Sequence, residues 1–189
     1  IVLSKTQFNR LLKKQKTAGA EVFLKIAEKR RKERLLKTKQ FNKMGVDDVG
    51  NISKRDLFIV GLALYWGEGY KKGNEEFGFT NSDPVAIKVI IKWLSVIYGV
   101  KTKDLILRVG INQAHKYRED VVLKYWSNIT KVLAIQFTKT SFIKTISKKR
   151  YNNEAEHFGT LRVKVRNGAN LRRRIMGSLT ALGKLILLK

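Results

Sequence analysis

The sequence has no cysteine, one proline and two histidines in 189 residues, and these scarcities exclude several kinds of chemistry. Without cysteine there are no disulfides, no thiolate-bound zinc, no iron–sulfur clusters and no thiol nucleophile. Two histidines argue against a metal site built from imidazoles. The apolar runs are too short to span a bilayer and no signal peptide is recognisable, so we expect a cytoplasmic protein, nucleoid-associated if bacterial. The chain begins with Ile1 rather than Met, as a processed protein or a fragment does.

Acidic residues are also scarce, with 15 Asp and Glu against 40 Lys and Arg and a net charge of +25. Only Glu154 and Glu156 are acidic among the last 69 residues, so the positive charge belongs to the whole chain and not to one tail. This charge indicates a polyanionic partner, and it favours nucleic acid over an anionic membrane surface. Because phosphate contacts release counterions, we expect strongly salt-dependent binding.

The hydrophobic pattern divides the chain into two parts. Residues 1–50 predict a basic helical extension that ends in a linker at 45–51, and residues 51–189 predict a compact domain. In the second part, segments of helical and of period-two spacing follow one another in the order α-β-α-β-α-β-β-α. This order is typical of an α+β domain with an antiparallel sheet that is backed by helices on one face.

Local signals predict where the helices begin and end. Ser53 and Asp56 have the spacing of a capping box before an apolar segment, and Asp83-Pro84 begins the next helix, which Gly99 ends. The three tryptophans lie on apolar helices and are expected in the core: Trp66, Trp93 and Trp126.

The predicted strands carry positive charge on the face that points away from the core. An ordinary solvent-exposed face mixes both signs, whereas this face has one sign. Arg, Lys and Asn are the residue types that contact base edges and phosphates in the major groove. Our candidate nucleic-acid contacts, including a basic segment after the third strand, are Arg108, Asn112, Lys139, Lys144, Lys148, Lys149, Arg150, Arg162, Lys164 and Arg166.

One acid stands alone at the end of the first apolar helix of the domain. Glu68 lies between Gly67 and Gly69, where a carboxylate meets the negative end of the helix dipole. Carboxylate and main-chain carbonyl oxygens suit Mg²⁺, but an exposed turn residue flanked by glycines has the same spacing. The glycines match neither a dinucleotide fingerprint nor a Walker A loop, so we expect no small-molecule cofactor.

The segment GLALYWGEG, Gly61–Gly69, resembles the motif that names the LAGLIDADG homing endonucleases, and Thr80–Pro84 is similar to a helix start in that family. The resemblance covers about residues 52–187. It implies a saddle-shaped sheet that lies along the DNA major groove, and two motif helices that pack across a two-fold axis through small residues. Because the chain has one copy of the motif, the resemblance implies a homodimer.

The resemblance also implies roles for individual residues. By motif position, Glu68 is the catalytic acid and, with the Gly67 carbonyl, a ligand of Mg²⁺. Trp66 stands where the motif usually has its first acid. The candidates for a supporting basic residue are Lys139, Lys144 and Lys164. Of these we take Lys139 and Lys164 as catalytic. The implied dimer interface comprises Gly61, Ala63, Leu64 and Gly67.

The implied function is a site-specific double-stranded DNA endonuclease that acts as a homodimer with a divalent metal. The alternative is a non-catalytic DNA-binding regulator with the same fold. An RNA-binding or splicing role also stays open, whereas a membrane partner is disfavoured.

Overall fold

Contacts between Cα atoms divide the chain into two compact units, residues 1–52 and residues 53–189. In this computed structural model, the described residues are 3–14, 18–72, 76–144 and 156–188.

In its described residues, the first unit has two helices, α1 (Lys5–Lys14) and α2 (Ala18–Val49). Ser4 begins α1, since its hydroxyl accepts from the Gln7 amide at 3.2 Å. The linker predicted at 45–51 is wrong, because α2 continues to Val49. A single glycine weakens a helix by only about 1 kcal/mol, and Lys43 Nζ pairs with Asp47 across one turn at 2.8 Å.

The second unit is an α+β fold, and its elements follow the predicted order. They are α3 (Lys54–Glu68), β1 (Gly78–Asn81), α4 (Pro84–Tyr98), β2 (Leu105–Asn112), α5 (Glu119–Thr130), β3 (Phe137–Ile143), β4 (Thr160–Val165) and α6 (Ala169–Leu187). Short 3₁₀ turns precede β2, α5 and β3.

The helix ends have the predicted caps. The Ser53 hydroxyl accepts from the Asp56 amide at 3.1 Å, and the Asp56 carboxylate accepts from the Ser53 amide at 2.9 Å. These hydrogen bonds lower the pKa of Asp56. The Asp83 carboxylate caps α4 by accepting from the Val85 amide at 2.7 Å. Gly99 ends α4 with a φ of 68°, which glycine adopts more readily than other residues.

The four strands form one mixed sheet in the order β1-β4-β2-β3. Strand β4 is antiparallel to both of its neighbours, but β2 and β3 are parallel. The prediction of an antiparallel sheet is therefore wrong. The reason is that α5 connects β2 to β3 as a crossover, which returns the chain to the end of the sheet where β2 began.

The core lies between one face of the sheet and the four helices of this unit. Alternate residues of β2 and β4 point into it and are buried, while the residues between them are half-buried. The largest side chains of the core come from both layers: Tyr65, Phe77, Phe79, Trp93 and Trp126. The prediction for Trp66 is wrong, since this side chain is 47% exposed. The opposite face of the sheet, which we call the open face, carries the polar residues of β2 and β4.

Candidate nucleic-acid interface

The open face of the sheet is positively charged because of the composition of its strands. The four strands contain four basic residues and no acidic residue: Arg108 in β2, Lys139 in β3, and Arg162 and Lys164 in β4. Period-two alternation turns Leu107 and Val163 towards the core, so Arg108 and Arg162 point to the other side.

Two of these cations face each other at the centre of the sheet. Arg108 is the direct cross-strand partner of Arg162 in the β2–β4 ladder, and both residues are half-buried. The same row continues to Thr80 in β1 and to Thr138 in β3. Within the described residues, the buried Nε of Arg108 has no hydrogen-bond acceptor. Like charges directly opposite each other destabilise a sheet, so this pair is unfavourable for the protein alone.

Both basic residues of β4 have partners within the protein. The Arg162 guanidinium lies over the ring of Tyr70, 5.6 Å from its centroid, and the Tyr70 hydroxyl is hydrogen-bonded to Thr80 at 2.7 Å. Lys164 Nζ donates to Glu76 at 2.8 Å. Since Tyr70 follows Glu68 by two residues, the basic face is joined directly to the end of α3.

The other predicted contacts lie further from this row. The side-chain oxygen of Asn112 accepts from the Ala114 amide at 2.9 Å and so begins the turn after β2. Lys139 is exposed and lies in β3 where the β2–β3 register shifts, between the pairs Arg108–Thr138 and Gly110–Ser141. Lys144 and Arg166 are exposed just after their strands. The predicted contacts Lys148, Lys149 and Arg150 lie outside the described residues.

The end of α3 presents one carboxylate and several carbonyl oxygens. Glu68 is its last residue and is exposed. Lys71 Nζ donates to the carbonyl of Gly67 at 3.3 Å and also to that of Trp66. The ammonium therefore lies against the negative end of the helix dipole, where a cation is stabilising. The Gly67 carbonyl, our predicted metal ligand, is thus already hydrogen-bonded to a cation of the protein.

The chain after Glu68 is held in place from both sides. The Tyr65 hydroxyl donates to the Tyr70 carbonyl at 2.9 Å, and Arg172 of α6 donates to the carbonyls of Tyr70 and Lys71 at 3.3 and 2.7 Å. Burial raises the pKa of Tyr65, and the nearby Arg172 charge partly offsets this effect. Tyr65 is therefore a protonated donor at neutral pH, and it fixes the turn that follows Glu68.

Sequence reasoning missed Tyr70, Lys71 and Arg172. A basic residue just after a helix is a recognised sign of contact with the last carbonyls, so Lys71 could have been found. Arg172 contacts Lys71 from 101 residues away in the sequence, and no local pattern predicts such a contact.

The four residues predicted at a dimer interface do not share one environment. Gly61 is buried within the unit, and a Cβ at this position would lie 2.2 Å from the indole of Trp93. Ala63 and Gly67 are exposed and Leu64 is half-buried. Gly61 therefore allows α3 to approach α4 of the same chain, whereas Ala63, Leu64 and Gly67 retain accessible surface.

Comparison with known proteins gives no relative from which a role could be transferred. No protein family profile, no curated protein and no solved structure matches the chain. In the part of the chain that the structure describes, every helix is too short or too polar to cross a bilayer.

Proposed function

We propose that this chain binds double-stranded DNA through the open face of its sheet. We further propose that, as a homodimer with Mg²⁺, it cleaves DNA at specific sites in the manner of the LAGLIDADG homing endonucleases. The observation that carries the proposal is the pair formed by Arg108 and Arg162 in strands that contain no acid.

The arginine pair supports an anionic ligand because its two strands contain no acid, and within the part of the chain that the structure describes the Arg162 guanidinium has only the Tyr70 ring as a partner. Two half-buried arginines are direct cross-strand partners, and the buried Nε of Arg108 lacks an acceptor among the described residues. Burying a polar group without a partner costs about 1–3 kcal/mol. Phosphate oxygens, or the O6 and N7 atoms of guanine, would accept hydrogen bonds from the two guanidinium groups and offset their charge.

The position of the pair within the sheet supports contact with base edges. A two-stranded ribbon fits the DNA major groove, which is about 12 Å wide, and the antiparallel pair β2–β4 lies at the centre of this sheet. Arg108 and Arg162 would then reach base edges. Lys139 on the edge strand, and Lys144 and Arg166 beyond the strand ends, would reach the phosphates on either side.

The residues at the end of α3 fit Mg²⁺ in the type of donor that they offer. Glu68 and the Gly67 carbonyl are hard oxygen ligands, and Mg²⁺ in phosphate-processing sites takes its remaining ligands from water and substrate phosphates. Among the described residues, no three His, Asp or Glu side chains lie together. When bound, Mg²⁺ would supply positive charge at the scissile phosphate. Glu68 would hold the metal ion, and Lys71 would have to release the Gly67 carbonyl.

The homodimer follows from the number of carboxylates. One chain places one Glu68 at the end of α3, so cleavage of both strands would need a second copy. Of the predicted interface, Ala63, Leu64 and Gly67 remain available on α3, and the exposed indole of Trp66 lies beside them.

A metal-dependent cleavage assay tests the proposal. A duplex library would be incubated with the full chain, with Mg²⁺ or with a chelator, for wild type, Glu68→Gln and Asp120→Asn. Asp120 is an exposed acid on α5, so Asp120→Asn matches the charge change away from the site. We expect discrete double-strand cuts from wild type and Asp120→Asn, and binding without cuts from Glu68→Gln. Cleavage by Glu68→Gln would contradict the assignment of this residue.

The alternative, a DNA-binding regulator, is favoured by the contacts of Lys71. Its ammonium already provides positive charge at the carbonyls of Trp66 and Gly67, so the end of α3 has a cation without any metal ion. Tight, salt-sensitive binding without cuts by wild type in Mg²⁺ would support the regulator. Absence of binding to any duplex would reject both functions.

A further inference from the structure

Helix α2 is long and lies almost entirely in solvent. Of the α2 side chains that the structure describes, all but Leu24 and Glu28 are exposed. Its apolar residues do not form one stripe: at about 100° per residue, Leu35, Leu36 and Phe41 point in three different directions. A helix that inserts into a membrane surface, or that packs in a coiled coil, needs such a stripe. Helix α2 therefore lacks the surface that either of these partners needs.

Six of the seven basic residues between Arg30 and Lys43 form two flanks on opposite sides of α2. One flank consists of Arg30, Arg34 and Lys37, and the other of Lys32, Lys39 and Lys43. At 3.6 residues per turn, the mean directions of the two flanks are about 165° apart. All six side chains are exposed.

The two surfaces between the flanks differ in chemistry. One surface carries Arg31, Leu35, Thr38 and Asn42, and the other carries Glu33, Leu36 and Gln40. Arg and Asn are the side chains that form bidentate contacts with guanine and adenine in the major groove. The acidic Glu33 lies on the opposite surface, so only the first surface combines residues that contact base edges with the absence of an acid between Arg30 and Lys43.

This arrangement fits the major groove of duplex DNA. A helix in the groove has phosphates on both flanks, base edges on one surface and solvent on the other. The segment from Arg30 to Lys43 is about 21 Å long at 1.5 Å per residue, the length of about six base pairs. The ion pairs of Arg31 with Glu28 at 3.3 Å and of Lys43 with Asp47 at 2.8 Å are exposed. Such exposed pairs exchange readily for phosphate contacts.

We propose that α2 is a second DNA-binding element, distinct from the sheet, that enters the major groove with Arg31 and Asn42 towards the bases. This proposal rests on the proposed function in one respect only, the class of ligand, which is duplex DNA. The basic flanks bind the two phosphate backbones, and the Arg31 and Asn42 side makes this binding selective for sequence.

Charge-neutral variants of the full chain test this assignment. One variant combines Arg30→Gln, Arg34→Gln and Lys37→Gln, and a second combines Lys32→Gln, Lys39→Gln and Lys43→Gln. Glutamine keeps the helix propensity, which circular dichroism would check. The matched control combines Lys88→Gln, Lys92→Gln and Lys124→Gln, which are exposed on α4 and α5. Binding to a random duplex would be measured by fluorescence anisotropy between about 50 and 200 mM salt.

We expect each α2 variant to bind more weakly and to reduce the slope of log K against log salt by about 2.7, or about 0.9 for each lost phosphate contact. The control variant should keep the wild-type slope. Equal slopes in the α2 variants and the control would overturn the proposal. Loss of binding to single-stranded RNA with unchanged duplex binding would also overturn it, in favour of an RNA partner.

Two further variants separate this element from the sheet and test its orientation. If Arg108→Met with Arg162→Met leaves duplex affinity unchanged while the α2 variants weaken it, the sheet interface fails and the α2 element stands. If the α2 variants leave duplex affinity unchanged while Arg108→Met with Arg162→Met weakens it, only the α2 element is overturned. In a selection from random duplexes, Asn42→Ala should lose the preference for one base pair without changing the salt slope. If Asn42→Ala selected the same sequence as wild type, the proposed orientation of α2 in the groove would be refuted.

Discussion

Arg108 and Arg162 stand opposite each other in the two central strands, and their effects on folding and on binding have opposite signs. In the free protein the pair brings two positive charges together and leaves a buried Nε without an acceptor among the described residues. A polyanion would turn the first of these costs, the opposed positive charges, into favourable contacts. Proteins commonly keep unfavourable groups of this kind where function needs them.

Arg108→Met should therefore stabilise the fold and weaken DNA binding. We expect the free energy of unfolding to rise by about 1 kcal/mol, since a methionine of similar length removes the repulsion and the unsatisfied donor. The dissociation constant for duplex DNA should rise about tenfold, which corresponds to 1.4 kcal/mol. Denaturant unfolding and fluorescence anisotropy measure the two quantities.

Lys124→Met provides the control for Arg108→Met because it removes an exposed cation from α5, on the helical side of the sheet. It should change neither quantity by more than about 0.5 kcal/mol. If Arg108→Met lowered stability without affecting binding, its role would be structural, and the sheet would no longer be the favoured interface.

At this scale, the sequence predicts which side chains point out of the sheet but not which of them meet. Alternation alone places Arg108 and Arg162 on the open face. Their direct pairing depends on the β2–β4 register, which is set across more than 50 residues of chain. The contacts of Arg162 with Tyr70, and of Lys71 with the end of α3, depend on loop conformation in the same way.

Helix α3 shows what a motif can and cannot predict for a whole element. The capping box of Ser53 and Asp56 is local and is confirmed by the structure. The motif also placed Gly61 at an intermolecular interface, but Gly61 lies on the same side of the helix as the buried Leu62 and Tyr65. A small residue can bring two helices close within a chain or between chains, and spacing does not distinguish the two cases.

Gly61→Ala should destabilise the protein because the added methyl group would meet Trp93. A Cβ at this position lies 2.2 Å from the indole ring, so α3 and α4 would have to separate. Overpacking of this kind costs about 1–3 kcal/mol, which a thermal melt would detect. Gly177→Ala is the control, since Gly177 lies in α6 with open space around it and should gain about 1 kcal/mol of helix propensity. Equal melting temperatures for Gly61→Ala and wild type would contradict this packing.

The sheet shows a second limit on what a sequence pattern predicts for a whole element. Alternation predicted the strands β2 and β4 within two residues at each end, because the signal lies inside each segment. Strand direction does not appear in that pattern, since parallel and antiparallel strands have the same period. The sequence does contain a clue, as α5 is long enough to form the crossover that a parallel pair requires.

The charge of the whole molecule could be predicted from composition alone, because +25 over 189 residues cannot be neutralised internally. Both units contribute to it, the first through α2 and the second through the sheet and α6. Binding through both elements should depend on salt more steeply than binding through either one. Composition cannot predict how many copies of the chain act together, because this number depends on the shape and chemistry of an exposed surface and not on the total charge.

The number of copies is the last property that the proposed endonuclease requires. Ala63→Glu would bury a carboxylate between two copies of α3 and should convert a dimer to a monomer, with loss of double-strand cuts. Val85→Glu is the control, because Val85 is an exposed apolar residue of α4. Sedimentation equilibrium measures the mass in solution of both variants and of wild type. A wild-type chain that is monomeric both free and on its DNA site would remove the second Glu68, and with it the basis for cutting both strands. Dimeric Ala63→Glu with intact activity would place the interface elsewhere on the molecule.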